Sequence, residues 1–139
     1  MFIFGIGVPA SQCGEFELQE KVMAAVMELT EDIVDRFSHF HDSEVLRIEA
    51  VREDVRFTID IKLISYGLDY YHSLTNSTAK TVRITFFDVV ALEISDFNHQ
   101  NVIYDLSMTN DTMGKKIDIR TSFGFEGRIA AKKVELEVL

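Results

Sequence analysis

Val55-Arg56-Phe57-Thr58-Ile59-Asp60-Ile61-Lys62-Leu63 alternates apolar and polar residues without a break. A β-strand sends successive side chains to opposite faces, so this stretch reads as a strand with one buried and one wet face. Upstream, Leu46, Ile48 and Ala50 alternate with Arg47 and Glu49. The polar link Arg52-Glu53-Asp54 joins the two runs as a hairpin.

The period of two persists downstream. Val82, Ile84 and Phe86 form one set and Val90, Leu92 and Ile94 the next. Val102, Tyr104 and Leu106 follow, then Ile117, Ile119 and Thr121. Turn residues around Gly114 and between Gly124 and Gly127 separate the last strands. In the final run the inward set shifts from Ile129 and Ala131 to Val134, Leu136 and Val138, which calls for a bulge near Lys132. Tyr66 to Ala79 has no clear period and reads as a long loop.

Ahead of these strands the period is helical. Leu18, Val22, Val26, Leu29, Ile33 and Phe37 follow one another at steps of three and four, an apolar stripe of an amphipathic helix over about 15–38. Its other face is acidic, with Glu17, Glu20, Glu28, Glu31 and Asp35. The helix precedes about seven strands over about 44–138. No β-α-β alternation occurs, so the expected class is α+β with a mostly antiparallel sheet, in one domain over residues 1–139.

The totals bound the function. With 139 residues, 47% of them hydrophobic, the chain is long enough to bury a core. The single cysteine, Cys13, cannot form an internal disulfide and has no local partner to activate it. The apolar start, Met1–Ala10, lacks the basic flank of a signal peptide, and no later run reaches the ~18 apolar residues of a membrane span. A cytoplasmic location is the expectation. The formal net charge of −9 argues against nucleic acid and anionic membranes and favours a basic protein partner. A self-associating structural domain, with the helix or an exposed strand edge as the contact, is a further alternative, and the oligomeric state is left open.

Two histidine-bearing segments are the candidate chemistry: Ser38-His39-Phe40-His41-Asp42-Ser43-Glu44 and Phe97-Asn98-His99-Gln100-Asn101. Brought together, His39, His41, Asp42 and His99 offer imidazole and carboxylate ligands for a transition metal, or a histidine-based catalytic site. The competing reading is structural, with Asp42, Asn98 and Asn101 bonding turn amides and His41 meeting backbone groups. No nucleophile elbow, Gly-rich phosphate loop or Cys-x-x-Cys is present. No cofactor is expected. Tyr66, Tyr70 and Tyr71 crowd one segment, and tyrosines are favoured at protein interfaces.

Phe40-His41-Asp42-Ser43-Glu44-Val45-Leu46 resembles the Phe-His-Asp-Ala/Ser-Glu-Val-Leu phrase that leads into the first strand of the Immunity protein 50 family. Phe97-Asn98-His99-Gln100-Asn101-Val102 is similar to that family's later Phe-Asn-x-Gln-Asn-Val segment. The resemblance covers about Phe37 to Leu106. It implies a non-enzymatic cytoplasmic protein of a bacterial polymorphic toxin system that neutralises a cognate toxin by binding it. His41, Asp42, Glu44, Asn98, Gln100 and Asn101 carry the matched phrases, and the resemblance transfers no toxin-contact residue. The expected contacts therefore rest on the residues themselves: Glu17, Glu20, Glu28, Glu31, Asp35, Tyr66, Tyr70 and Tyr71.

Overall fold

A computed structural model of the chain describes residues 26–64, 68–74, 80–98, 100–112 and 114–139. Among these residues, seven strands and two short α-helices follow one another: β1 (Val26–Glu28), α1 (Glu31–Arg36), β2 (Glu44–Val51), β3 (Arg56–Lys62), α2 (Leu68–Leu74), β4 (Thr81–Ser95), β5 (Val102–Asp111), β6 (Gly114–Phe123) and β7 (Glu126–Val138). All pair antiparallel in the order β1-β7-β4-β3-β2-β5-β6, and β6 also pairs with β7. The sheet therefore closes into a ring of six strands. β4 runs along one edge of β7. On the other edge, β6 takes Gly127–Ala131 and β1 takes Glu135–Glu137.

The alternation that predicted β3 is realised: Phe57, Ile59 and Ile61 are buried, and so are Val82, Ile84 and Phe86 opposite them on β4. Phe57 and Phe86 are cross-strand partners with ring centroids 6.0 Å apart. Each such ring contributes on the order of 2–3 kcal/mol by leaving water. On the outer face, the Asp60 carboxylate receives two bonds from Arg83, at 2.7 and 3.1 Å, and this contact raises the guanidinium above its ordinary value.

Four expectations are corrected. The stripe assigned to one helix over 15–38 is interrupted: Val26–Glu28 is a strand, and the Leu29 amide donates to the Val134 carbonyl at 2.9 Å. Thr30 then caps α1, its hydroxyl accepting from the Ile33 amide at 3.2 Å. Edge pairing with β7 outweighs local period here, and residues 15–25, with Glu17 and Glu20, lie outside the described residues. Second, the segment after Gly67 contains α2. Third, Val90, Leu92 and Ile94 belong to the same long strand as Val82, and Val90 and Leu92 are exposed. Fourth, register irregularities reset the faces of two strands: at Val102–Asp105 they turn Tyr104 outward and bury Ile103 in its place, with Leu106 buried as expected, and between Val45 and Arg47 they bury Val45 and leave Leu46 exposed.

The change of phase in β7 occurs where expected. Lys132 and Lys133 are both exposed between buried Ala131 and Val134. The irregular backbone itself sits on β4, where Asp88 has φ of 53° and the register slips between Val89 and Ala91. Leu29, Val34, Phe37, Phe40 and Tyr71 cover the inward face of the sheet and are buried with it.

Candidate functional site

The connection from α1 to β2 is a left-handed turn. Ser38, His39 and Phe40 each have φ of 55°, and Asp42 has 63°. Such conformations cost on the order of 1–2 kcal/mol per residue. The turn offsets this by burying Phe40, which stacks on Phe37 at 5.0 Å and 13°.

It also directs both histidines at β5. His39 Nδ1 donates to the Leu106 carbonyl at 3.0 Å and His41 Nδ1 to the Tyr104 carbonyl at 2.8 Å. A carbonyl only accepts, so Nδ1 carries the hydrogen in each ring. The Nε2 atoms lie 3.4 Å from Asp35 and 3.6 Å from Asp42 respectively. The Asp42 amide donates to Ile103 at 2.9 Å, and the Ile103 amide to Ser43 at 2.7 Å. Glu44 opens β2 opposite Val102. His39, His41 and Asp42 thus hold the edge of β5, and His99 lies outside the described residues. Among the described residues, no group of three His, Cys, Asp or Glu side chains is arranged to hold a metal.

The second phrase forms a polar hub. The buried Asn101 Oδ1 accepts from the Asn98 amide at 2.8 Å and from the Phe125 amide at 3.2 Å, and its Nδ2 donates to the Asn98 carbonyl. Asn98 Oδ1 accepts from the Gln100 amide at 2.7 Å. Gly124 closes over the hub with φ of 110°, and a Cβ there would lie 2.7 Å from Asn101 Oδ1. The hub ties the β4–β5 connection to the β6–β7 turn.

Of the tyrosines assigned to a binding loop, Tyr71 is corrected to the core. It is 0% exposed and its hydroxyl donates to the Leu139 carbonyl at 2.9 Å. Tyr70 is half-buried, edge-on to Phe37 at 5.0 Å with the Arg36 guanidinium 5.6 Å above its ring. Tyr66 lies outside the described residues. Among the described residues, the tyrosine offered to solvent is Tyr104, 53% exposed, with Arg120 6.0 Å from its ring centre and His41 edge-on at 5.9 Å.

The acidic residues sort by partner. Glu28 is bound by Lys115, whose hydrogen bond and charge hold the carboxyl below its ordinary value. Asp32 pairs with Arg36 at 2.9 Å. Glu31 and Asp35 face solvent, the Asp35 side chain 78% exposed. They border a shallow hollow of about 360 Å³ that reaches Ser107 and Met108 of β5. Ser107 also lines a larger concavity of about 780 Å³ on the outer face of β4–β7, with Asp105, Asp118, Arg120, Glu126 and Arg128. The two hollows share Ser107 of β5, and acidic side chains outnumber basic ones around each. Local spacing gave no sign of Tyr104, Asp105 or Asp118 as site residues, because strand register, not sequence proximity, assembles them.

No curated protein matches the chain. Among solved structures, an uncharacterized protein from Neisseria gonorrhoeae is similar at 12% identity and a TM-score of 0.49, over 71% of this chain and 93% of that one. The family model described as Immunity protein 50 matches residues 28–139, which contain the histidine turn, the asparagine hub and every described strand except the first two residues of β1. On that match the chain belongs to the Immunity protein 50 family.

Proposed function

We propose that this chain is a cytoplasmic immunity protein that neutralises a cognate bacterial toxin by binding it directly, as a single non-enzymatic domain without a cofactor. Membership of the Immunity protein 50 family is the observation that carries this reading. The toxin presents a basic surface, such as the nucleic-acid-binding face of a nuclease. The net charge of −9 steers it in and disfavours nucleic acid and anionic membranes as partners. No described helix is long and apolar enough to cross a membrane.

The contact surface is the acidic face from α1 across β5 to β7. Glu31, Asp35 and Asp105 supply the charge, Asp118 being paired with Arg128 at 3.6 Å, and Tyr104 is the exposed aromatic anchor, with Tyr70 at the margin. Glu28 is engaged with Lys115 and contributes less. Inhibition follows from steric cover of the toxin's working surface.

The test is an affinity pull-down from the source bacterium. One dominant basic protein is expected to co-purify with the wild-type chain. Tyr104→Ala is expected to weaken that complex about 30-fold or more, as loss of a central aromatic does. Recovery of no partner, or capture unaffected by both Tyr104→Ala and Asp105→Arg, would remove this surface from consideration.

A further inference from the structure

β2 is paired unevenly. Along Arg47–Val51 it pairs with β3, whereas its ladder to β5 stops at Glu44–Val102, with a last bond from the Val45 amide to the Asn101 carbonyl at 3.0 Å. The strands then diverge. The facing edge of β5 is closed by the histidine turn, through His41 to Tyr104 and His39 to Leu106. The other edge of Leu46–Val51 has no such cover among the described residues. An open edge of this kind presents unpaired backbone groups and invites another strand.

The side chains on this edge select one kind of strand. Leu46, Arg47, Glu49 and Ala50 are exposed, the Arg47 and Glu49 side chains by 55% and 48%. In an antiparallel pair of two identical strands, partners must share a face, so a two-fold axis passes through a residue. An axis at Arg47 sets two arginines opposite each other, and an axis at Glu49 sets two glutamates. Like charges directly opposite are destabilising. An axis at Ile48 sets Arg47 against Glu49 of the second copy twice, within the regular run that follows the register slip at Leu46. The sequence of β2 is therefore complementary to itself in one register.

We propose that β2 pairs with β2 of a second copy of this chain, antiparallel and centred on Ile48, to form a two-fold symmetric dimer. Arg47 and Glu49 already lie 3.4 Å apart within one strand, so pairing exchanges partners more than it creates them. Five or six residues a side is also a small interface. The dimer is accordingly weak and concentration-dependent. It stands whether or not the acidic face binds a toxin.

Sedimentation analysis of the full chain tests this with a charge swap. The wild type should dimerise reversibly. Arg47→Glu alone and Glu49→Arg alone should each weaken dimerisation about tenfold, because each turns two attractive pairs into repulsive ones. An equimolar mixture of the two variants should form a heterodimer of at least wild-type affinity, and the double swap should restore self-association. A wild type that stays monomeric to roughly millimolar concentration, single variants that dimerise unchanged, or a mixture that fails to associate would each overturn the proposal.

Discussion

Replacing Asn101 by alanine removes the hub that joins the β4–β5 connection to the β6–β7 turn. Asn101 is 3% exposed and makes three bonds through its side chain: two accepted, from the Asn98 and Phe125 amides, and one donated to the Asn98 carbonyl. Each contributes about 1 kcal/mol net, and the buried Phe125 amide is left with no replacement partner. Asn101 also has φ of 29°, a region that asparagine tolerates and alanine does not, which adds about 1 kcal/mol. The expected loss is about 4 kcal/mol, a large fraction of the 5–15 kcal/mol typical of a domain. Urea unfolding reads this as a lower midpoint at unchanged slope. Asn101→Asp is the informative companion: it keeps the accepting oxygen but, when ionised, sets a second acceptor against the Asn98 carbonyl, so it should cost less at acidic pH, where a protonated carboxyl donates there, than at neutral pH. A loss below about 1 kcal/mol for alanine, or an aspartate loss that does not change with pH, would refute the reasoning.

Two further outcomes follow from the geometry. Gly124→Ala should destabilise by at least about 2 kcal/mol in the same assay, since its φ of 110° and the 2.7 Å approach of Asn101 Oδ1 both exclude a side chain. The Glu28 carboxyl, held by Lys115 below its ordinary 4.5, binds protons less readily folded than unfolded; its contribution is present above pH 4.5 and is lost as pH falls through the lowered value. Lys115→Met should flatten that part of the stability–pH curve, and an unchanged acid limb would show that the pair contributes nothing.

The sheet was legible where one face is buried along a whole strand. Phe57, Ile59 and Ile61 follow a strict period because every inward position meets the core. Legibility failed where long-range pairing or an irregular register intervened. Val26, Met27 and Glu28 carry a helical spacing, yet they pair with Glu137, Leu136 and Glu135 at the far end of the chain, a partnership no local window contains. Tyr104 occupies an inward position by alternation and an outward one in fact, because the β5–β6 register slips on either side of Ile103. α2, at seven residues, is too short to display a helical period.

The candidate site was less legible still. The side-chain types in the histidine and asparagine phrases indicated bonding to the backbone, but not that both histidines would bind β5. Nor did they indicate that Asn101 would reach Phe125, 24 residues away in sequence. The acidic surface was foreseen only on the helix expected over 15–38, of which Glu31 and Asp35 fall on α1. Its extension through Asp105 and Asp118 depends on β5 and β6 lying side by side.

The most direct test is titration calorimetry of the purified chain against the toxin domain encoded by the neighbouring gene, with toxin activity read in parallel. A saturable complex with one copy of toxin per chain, loss of activity at the same ratio, and affinity that falls with added salt are the predicted results. Full toxin activity in the presence of excess chain, with no heat of binding, would contradict the account.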